Sequence, residues 1–232
     1  MNILLCGADG FLGHAITARL EAAGHRIIRG VHTVRQADDI ALDYRRDLDA
    51  ETWLPRLRDV DAVINAVGIL RERTPGDFER IHHRAPAALF AAAAQVGIRR
   101  VIQISATGPG EQHPGEQQDS TGLTPYLSSK HAADAALLRS LPQGATVLRP
   151  TLIFGEDGAS SQFFLALASL PLLAIPQDIG KVQPVHVDDL TAAVKKALEV
   201  DSSAPSRILE FPGPRALPYA EWLEGYRRLM AL

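Results

Sequence analysis

Tyr126 and Lys130 are the residues of this chain best placed to do chemistry. Four positions apart on a helix, they share a face and lie about one turn from each other. An ammonium so placed favours the phenolate of its neighbour. At about 4 Å and an effective dielectric of about 20, the attraction is about 4 kcal/mol, roughly 3 pH units below the ordinary tyrosine value. That brings the phenol toward working pH, where a general acid–base is most effective. Ser105 ends an apolar run upstream, and its hydroxyl could face Tyr126 and hydrogen-bond a carbonyl or carbinol. A Y-x-x-x-K spacing carries little specificity alone, so its weight depends on what surrounds it.

The decisive company is Gly7-Ala8-Asp9-Gly10-Phe11-Leu12-Gly13, directly after the first strand-like run and opening the first helix. Small residues let the chain turn tightly, bring backbone N–H groups against a pyrophosphate and pack the helix on the strand. The loop therefore points to a dinucleotide, and the Tyr–Lys pair to proton transfer beside its nicotinamide. Cofactor choice rests on the end of the second strand, where a carboxylate would repel a 2′-phosphate. The segment Arg29-Gly30-Val31-His32-Thr33-Val34-Arg35 has no acid before Asp38. His32 and Arg35 could contact a 2′-phosphate, although Arg35 alone fits a solvated surface charge equally well. The expectation is a modest preference for NADP(H) over NAD(H), with Asp43 or Asp47 near the adenine.

The elements that must hold these residues alternate between apolar runs and helical patterns. Ile3 to Cys6, Arg26 to Val31, Val60 to Val67, Val101 to Ile104 and Thr146 to Leu148 read as strands, nearly continuous in apolar character as in a parallel sheet. Helices are expected over Phe11 to Ala23, Phe78 to Val96 and from Pro125, capped by Thr124, to about Leu141. This rhythm predicts an α/β fold, a Rossmann-type doubly wound parallel sheet over residues 1–150. Past Pro150 a loop-rich stretch with a short apolar helix, Phe163 to Leu170, reads with 201–232 as a small C-terminal substrate lobe. A helix over 186–200, expected to be capped by Asp188, packs back on the sheet.

Bulk properties narrow the function. With 232 residues, 46% hydrophobic and 22% charged, the chain can bury a large core. The net charge of -3 and the lack of a Lys/Arg run give no reason to expect nucleic acid as a partner. A single cysteine, Cys6, excludes an internal disulfide and fits a reducing cytosol. The longest apolar stretch, Phe163 to Ile175, is too short to span a bilayer and contains Pro171, and the N-terminus enters a strand at once, so a cytoplasmic protein is expected. His82-His83 has no acid or cysteine at ligand spacing, so no metal site is expected.

Taken together, the G-x-x-G-x-x-G loop, Ser105, Tyr126-x-x-x-Lys130, Arg149-Pro150-Thr151-Leu152-Ile153-Phe154-Gly155 and Val185-His186-Val187-Asp188-Asp189-Leu190 resemble the short-chain dehydrogenase/reductase superfamily in its extended, epimerase/dehydratase-like branch. The resemblance runs from Asn2 to about Pro214. It implies that Tyr126 is the acid–base, that Lys130 binds the nicotinamide ribose and tunes Tyr126, and that Ser105 orients substrate. It further implies that Pro150 and Ile153 border the nicotinamide and that Ala66, Val67 and Gly68, after Asn65, line the cleft. Asn65-Ala66-Val67-Gly68 with Ile81-His82 is most similar to the subgroup of the NADPH-binding accessory subunit of respiratory complex I. Two departures stand out. His82 occupies the place of an asparagine that supports a proton relay in many relatives, and Ala106-Thr107 follows Ser105 where sugar-nucleotide dehydratases carry an acidic pair.

The leading expectation is an NAD(P)-dependent oxidoreductase or epimerase-like enzyme that moves hydride between nicotinamide and a carbonyl or carbinol carbon of an unidentified small molecule. The alternatives are an NADPH-binding sensor or assembly protein without turnover, and a nucleotide-sugar epimerase. The last is disfavoured by the apolar lobe (Phe163, Phe164, Leu167, Leu170). Small apolar faces at Ala87 to Ala94 and Ala132 to Leu138 would suit a homodimer or packing on the sheet.

Overall fold

The computed structural model describes residues 1–108, 123–156, 158–172, 175 and 180–230. The first half contains β1 (Asn2–Cys6), α1 (Phe11–Ala22), β2 (Arg26–Val31), β3 (Ile40–Ala41), α2 (Ala50–Trp53), β4 (Ala62–Asn65), α3 (Ala85–Gln95) and β5 (Arg100–Ile104). Next come α4 (Pro125–Ser140), β6 (Ala145–Pro150), β7 (Ile153–Phe154), α5 (Ala159–Ala168), β8 (Lys181–Val182) and β9 (Val185–His186). The chain closes with α6 (Val187–Leu198), β10 (Arg207–Phe211), β11 (Leu217–Pro218) and α7 (Tyr219–Leu229).

Seven strands form one parallel sheet in the order β10-β6-β5-β4-β1-β2-β3. Alternate residues serve opposite faces, because successive strand side chains point to opposite sides. Leu4, Cys6, Val63, Val101 and Val147 join a core with Leu89, Phe90, Ala133 and Leu137 of α3 and α4. Ile3, Leu5, Ile64, Ile102 and Leu148 join the other with Ile16, Leu20, Leu190 and Val194 of α1 and α6. Both faces are covered, which explains the continuous apolar runs. The fold is the expected Rossmann-type α/β sheet. The chain leaves β1 toward β2 and later returns to pair β4 on its other side, so a crevice opens where the order reverses.

A separate apolar cluster joins Phe164 and Ala168 of α5 to Leu223 and Tyr226 of α7, and β8 pairs antiparallel with β11. Arg207–Phe211 departs from the expectation that 201–232 belongs to the lobe. It pairs parallel with Ala145–Pro150 as the outermost strand of the main sheet, from Arg207 opposite Thr146 to Phe211 opposite Pro150. The segment Arg-Ile-Leu-Glu-Phe reads as a strand in the sequence, but at the sheet edge four of its five side chains are exposed, so its apolar residues do not show which sheet it joins.

Local signals explain most helix ends. Thr124 Oγ1 accepts the Leu127 N–H at 3.3 Å, and Pro125 stands in the first turn, where its missing N–H costs nothing. The cap of α6 is His186, whose Nδ1 accepts the Asp188 N–H at 3.2 Å; Asp188 itself lies inside the helix. The helix expected from Phe78 begins as a π-helical turn, Glu79–Arg84. Pro86 has no N–H to give to the carbonyl four residues back, and the wider register precedes it.

The glycine turn sets the closest approach in the fold. A Cβ on Gly13 would stand 2.0 Å from the Gly7 carbonyl oxygen and 2.7 Å from Ala8 Cα, both rigid backbone. Gly13→Ala is expected to force α1 off β1 and to destabilise the protein by about 3 kcal/mol or more, measured as a lowered urea midpoint at unchanged slope.

Candidate cofactor and proton-transfer site

The crevice at the reversal holds a cavity of about 310 Å³. It gathers residues distant in sequence: Gly7, Asp9 and Gly10 from the first turn, His32 from the end of β2, Asp43 after β3, and Ala66, Val67 and Gly68 after β4. Gly7 has φ +82°, and a Cβ there would press within 3.3 Å of Ala66 and Val67, so the turn needs glycine. A small-residue turn leading into the N-terminus of α1 suits a pyrophosphate.

Other expected residues stand apart from the cavity. Gly13 is buried beneath the turn, Leu12 packs on the α1–α6 core, and the Phe11 ring fills the space beside Gly155 and Gly158. Pro150 is buried at the end of β6, where its carbonyl accepts the Thr107 N–H, and Ile153 pairs with Val185. Arg35 is exposed and does not line the cavity; its backbone N–H, like that of Gln36, is held by Asp39. Asp47 does not line the cavity; it is bound to the Asp43 N–H at 2.7 Å and to Arg56 at 2.7 Å.

Arg45 and Arg73 line the cavity instead. Their placement depends on Asp77, which is fully buried and accepts from Arg45 Nε and Nη2 at 3.0 and 2.9 Å. The same carboxylate accepts the backbone N–H groups of Arg73 and Thr74 and a bond from Arg80. The Arg45 guanidinium foremost holds its carboxyl well below the usual range. Asp77 follows a Thr-Pro-Gly turn signal, but nothing local shows that its partner is 32 positions away.

The proton-transfer residues are arranged differently from the sequence expectation. Lys130 is buried, and its Nζ donates to the carbonyls of Val67 and Ile104 at 3.1 and 3.2 Å. Desolvation pushes its pKa down to about 8, with Asp134 opposing. Tyr126 instead packs its ring edge-on against His82 and Phe78, with centroids 5.2 and 5.8 Å away. Burial pushes the phenol up, not down as the paired spacing suggested. Ser105 gives its hydroxyl proton to a different partner. Its Oγ donates to Asp134 Oδ2 at 2.8 Å, and that oxygen also accepts from Arg149 Nε at 2.9 Å. Arg149 reaches Glu210 on the edge strand at 3.4 Å. Asp134, four residues beyond Lys130 on α4, is the member of this network that sequence reasoning missed, and the i,i+4 spacing was its signal.

The model of the NAD-dependent epimerase/dehydratase family matches residues 3–210. The chain belongs to that family. It is 29% identical over 226 residues to the mitochondrial NADH dehydrogenase (ubiquinone) 1 alpha subcomplex subunit 9 of Arabidopsis thaliana, covering 90% of this chain and 52% of the plant protein. The chain thus spans about half the length of that relative. It is 27% identical over 257 residues to a 3-diazoavenalumate denitrifying reductase of a Streptomyces species, covering 99% and 82% of the two. The structure of MoeE5 in complex with UDP-glucuronic acid and NAD matches with a TM-score of 0.80 at 19% identity, covering 100% of this chain and 83% of that one; this is a likeness of fold. The epimerase/dehydratase-like resemblance, and that to the complex I subunit, are borne out. Among the described residues no helix is long and apolar enough to cross a membrane.

Two outcomes follow from the buried charges. Arg149→Met leaves the Asp134 carboxylate without its cation and should cost about 3–5 kcal/mol, measured by chemical denaturation. For Lys130, the folded value of about 8 lies below the ordinary 10.5. Between those values the unfolded chain binds the extra proton, so the Lys130 contribution rises with pH across that window and is flat below it. Stability of the native chain relative to Lys130→Met should therefore improve by about 3 kcal/mol from pH 8 to 10.5, read from paired unfolding curves.

Proposed function

We propose that the chain binds an NAD(P) dinucleotide across the crevice between β1 and β4 and works as an oxidoreductase or epimerase-like enzyme on a small carbonyl or carbinol compound. The observation that supports this most is the single cavity that gathers the glycine turn, His32, Asp43 and the Ala66–Gly68 backbone, with Lys130 Nζ directly behind Gly68. The glycine turn would hold the pyrophosphate, and Asp43 would meet the adenosine. The bound dinucleotide would supply or accept hydride. Lys130 uses two of its three N–H donors on main-chain carbonyls. The third can hold a ribose hydroxyl. Tyr126, its phenol kept protonated by burial, would give a proton to the substrate oxygen during reduction and recover it in the reverse direction.

A preference for NADP(H) belongs to this reading, with His32 kept and Arg73 taking the place of Arg35 on the adenosine side of the pocket. A cytoplasmic setting and a homodimer pairing the outer faces of α3 and α4 complete it. Light scattering that gives a monomer mass overturns the dimer. The second reading, a dinucleotide-binding sensor or assembly protein without turnover, draws on Ser105. Its hydroxyl proton is taken by Asp134.

Titration with NADPH and NADH, followed by nicotinamide fluorescence, tests the cofactor half; equal or tighter NADH binding refutes the preference. In a metabolite screen read by hydride transfer, Tyr126→Phe should bind NADPH within about twofold of the native chain and lose turnover by about a hundredfold or more. A native chain that binds NADPH yet turns over no carbonyl compound supports the sensor.

A further inference from the structure

His82 is buried within the π-helical turn and uses both ring nitrogens. Its Nε2 lies 3.0 Å from the Ile69 backbone nitrogen, which donates. Its Nδ1 lies 3.0 Å from Ser129 Oγ. The Ser129 hydroxyl proton goes to the Tyr126 carbonyl at 2.7 Å, so the serine oxygen accepts and Nδ1 carries the ring proton. This is one neutral tautomer with no proton left to pass on. Burial foremost, and the Lys130 charge after it, hold the imidazole pKa down at about 3.

The two contacts join different parts of the site. Ile69 belongs to the cavity wall, and Ser129 sits between Tyr126 and Lys130 on α4. Lys130 holds the same wall two residues earlier, through the Val67 carbonyl. Between these anchors, a Cβ on Gly68 would stand 3.1 Å from Lys130 Nζ and 3.8 Å from His82 Nε2. The Val67–Ile69 backbone is therefore clamped at both ends, by a cation on a carbonyl and an imidazole on an amide. The His82 ring is itself fixed, stacked on Phe78 at 5.2 Å and edge-on to Tyr126.

We propose that His82 is a positioning residue for the dinucleotide, a neutral strut that fixes the Val67–Ile69 wall of the crevice against the helix bearing Tyr126 and Lys130. The inference rests on the dinucleotide-binding reading. Loosening the strut leaves a half-buried amide without its acceptor and lets the wall shift, which weakens cofactor binding without touching the cofactor.

Two substitutions separate the two bonds. Glutamine places an acceptor near the Nε2 position and can keep the Ile69 bond. Asparagine reaches only the Nδ1 position and can keep Ser129. NADPH and NADH are titrated against native chain, His82→Gln and His82→Asn, with thermal unfolding of each and the histidine ring nitrogens of the native chain read by NMR. The expected result is binding about tenfold weaker in His82→Asn, rescue to within about threefold in His82→Gln, and a native ring protonated on Nδ1 alone. Equal losses in the two variants, or none, overturn the strut while leaving dinucleotide binding intact. A native ring protonated on Nε2 overturns it whether or not either variant folds. If the native chain binds neither nucleotide, the dinucleotide reading falls and takes the strut with it.

Discussion

A buried ammonium needs compensation for its lost water, and the site is organised around how Lys130 obtains it. Two carbonyls just beyond or at the ends of neighbouring strands, those of Val67 and Ile104, receive its protons. One turn further along α4, Asp134 favours the charged form and is itself held by Ser105 and Arg149. The same helix packs Ala133 and Leu137 into the apolar core. Charge and apolar contact thus fix α4 to the sheet together, and the position of Tyr126 follows from that docking.

The arrangement divides the work of the Tyr–Lys pair. With its ammonium bound to the strand ends, Lys130 serves the crevice wall more than the phenol. Tyr126 sits among Phe78 and His82, where burial keeps its proton in place. A protonated phenol is suited to give a proton before taking one. His82 joins these halves, one ring nitrogen on the wall and the other on α4.

Along the cavity wall lined by Arg45 and Arg73 a second buried charge plays the corresponding part. Asp77 gathers Arg45, Arg80 and two backbone amides, tying the segment after β4 to the loop after β3 across the crevice. The positive residues lining the cavity come from these tethered loops and not from the strand end where the spacing placed Arg35. Asp39 holds the backbone around Arg35 elsewhere.

The fold was legible because its determinants are local or periodic. Near-continuous apolar runs need two covered faces, and the glycine turn, the Thr124–Pro125 start of α4 and the strand Arg26–Val31 each carry their cause within a few residues. Part of the cleft was legible for the same reason, since the glycine turn that brings Gly7, Asp9 and Gly10 to the cavity is a short-range pattern. Three things were decided only by the tertiary structure: which partner Ser105 takes, where the Lys130 ammonium points, and which arginines face the cavity. Each depends on groups 26 or more positions apart that compete for the same buried donor or acceptor. Desolvation fixes the outcome of that competition, and desolvation is a property of the packed molecule. The chain alone therefore specified which groups are available for chemistry, and packing determined which of them are free to use it.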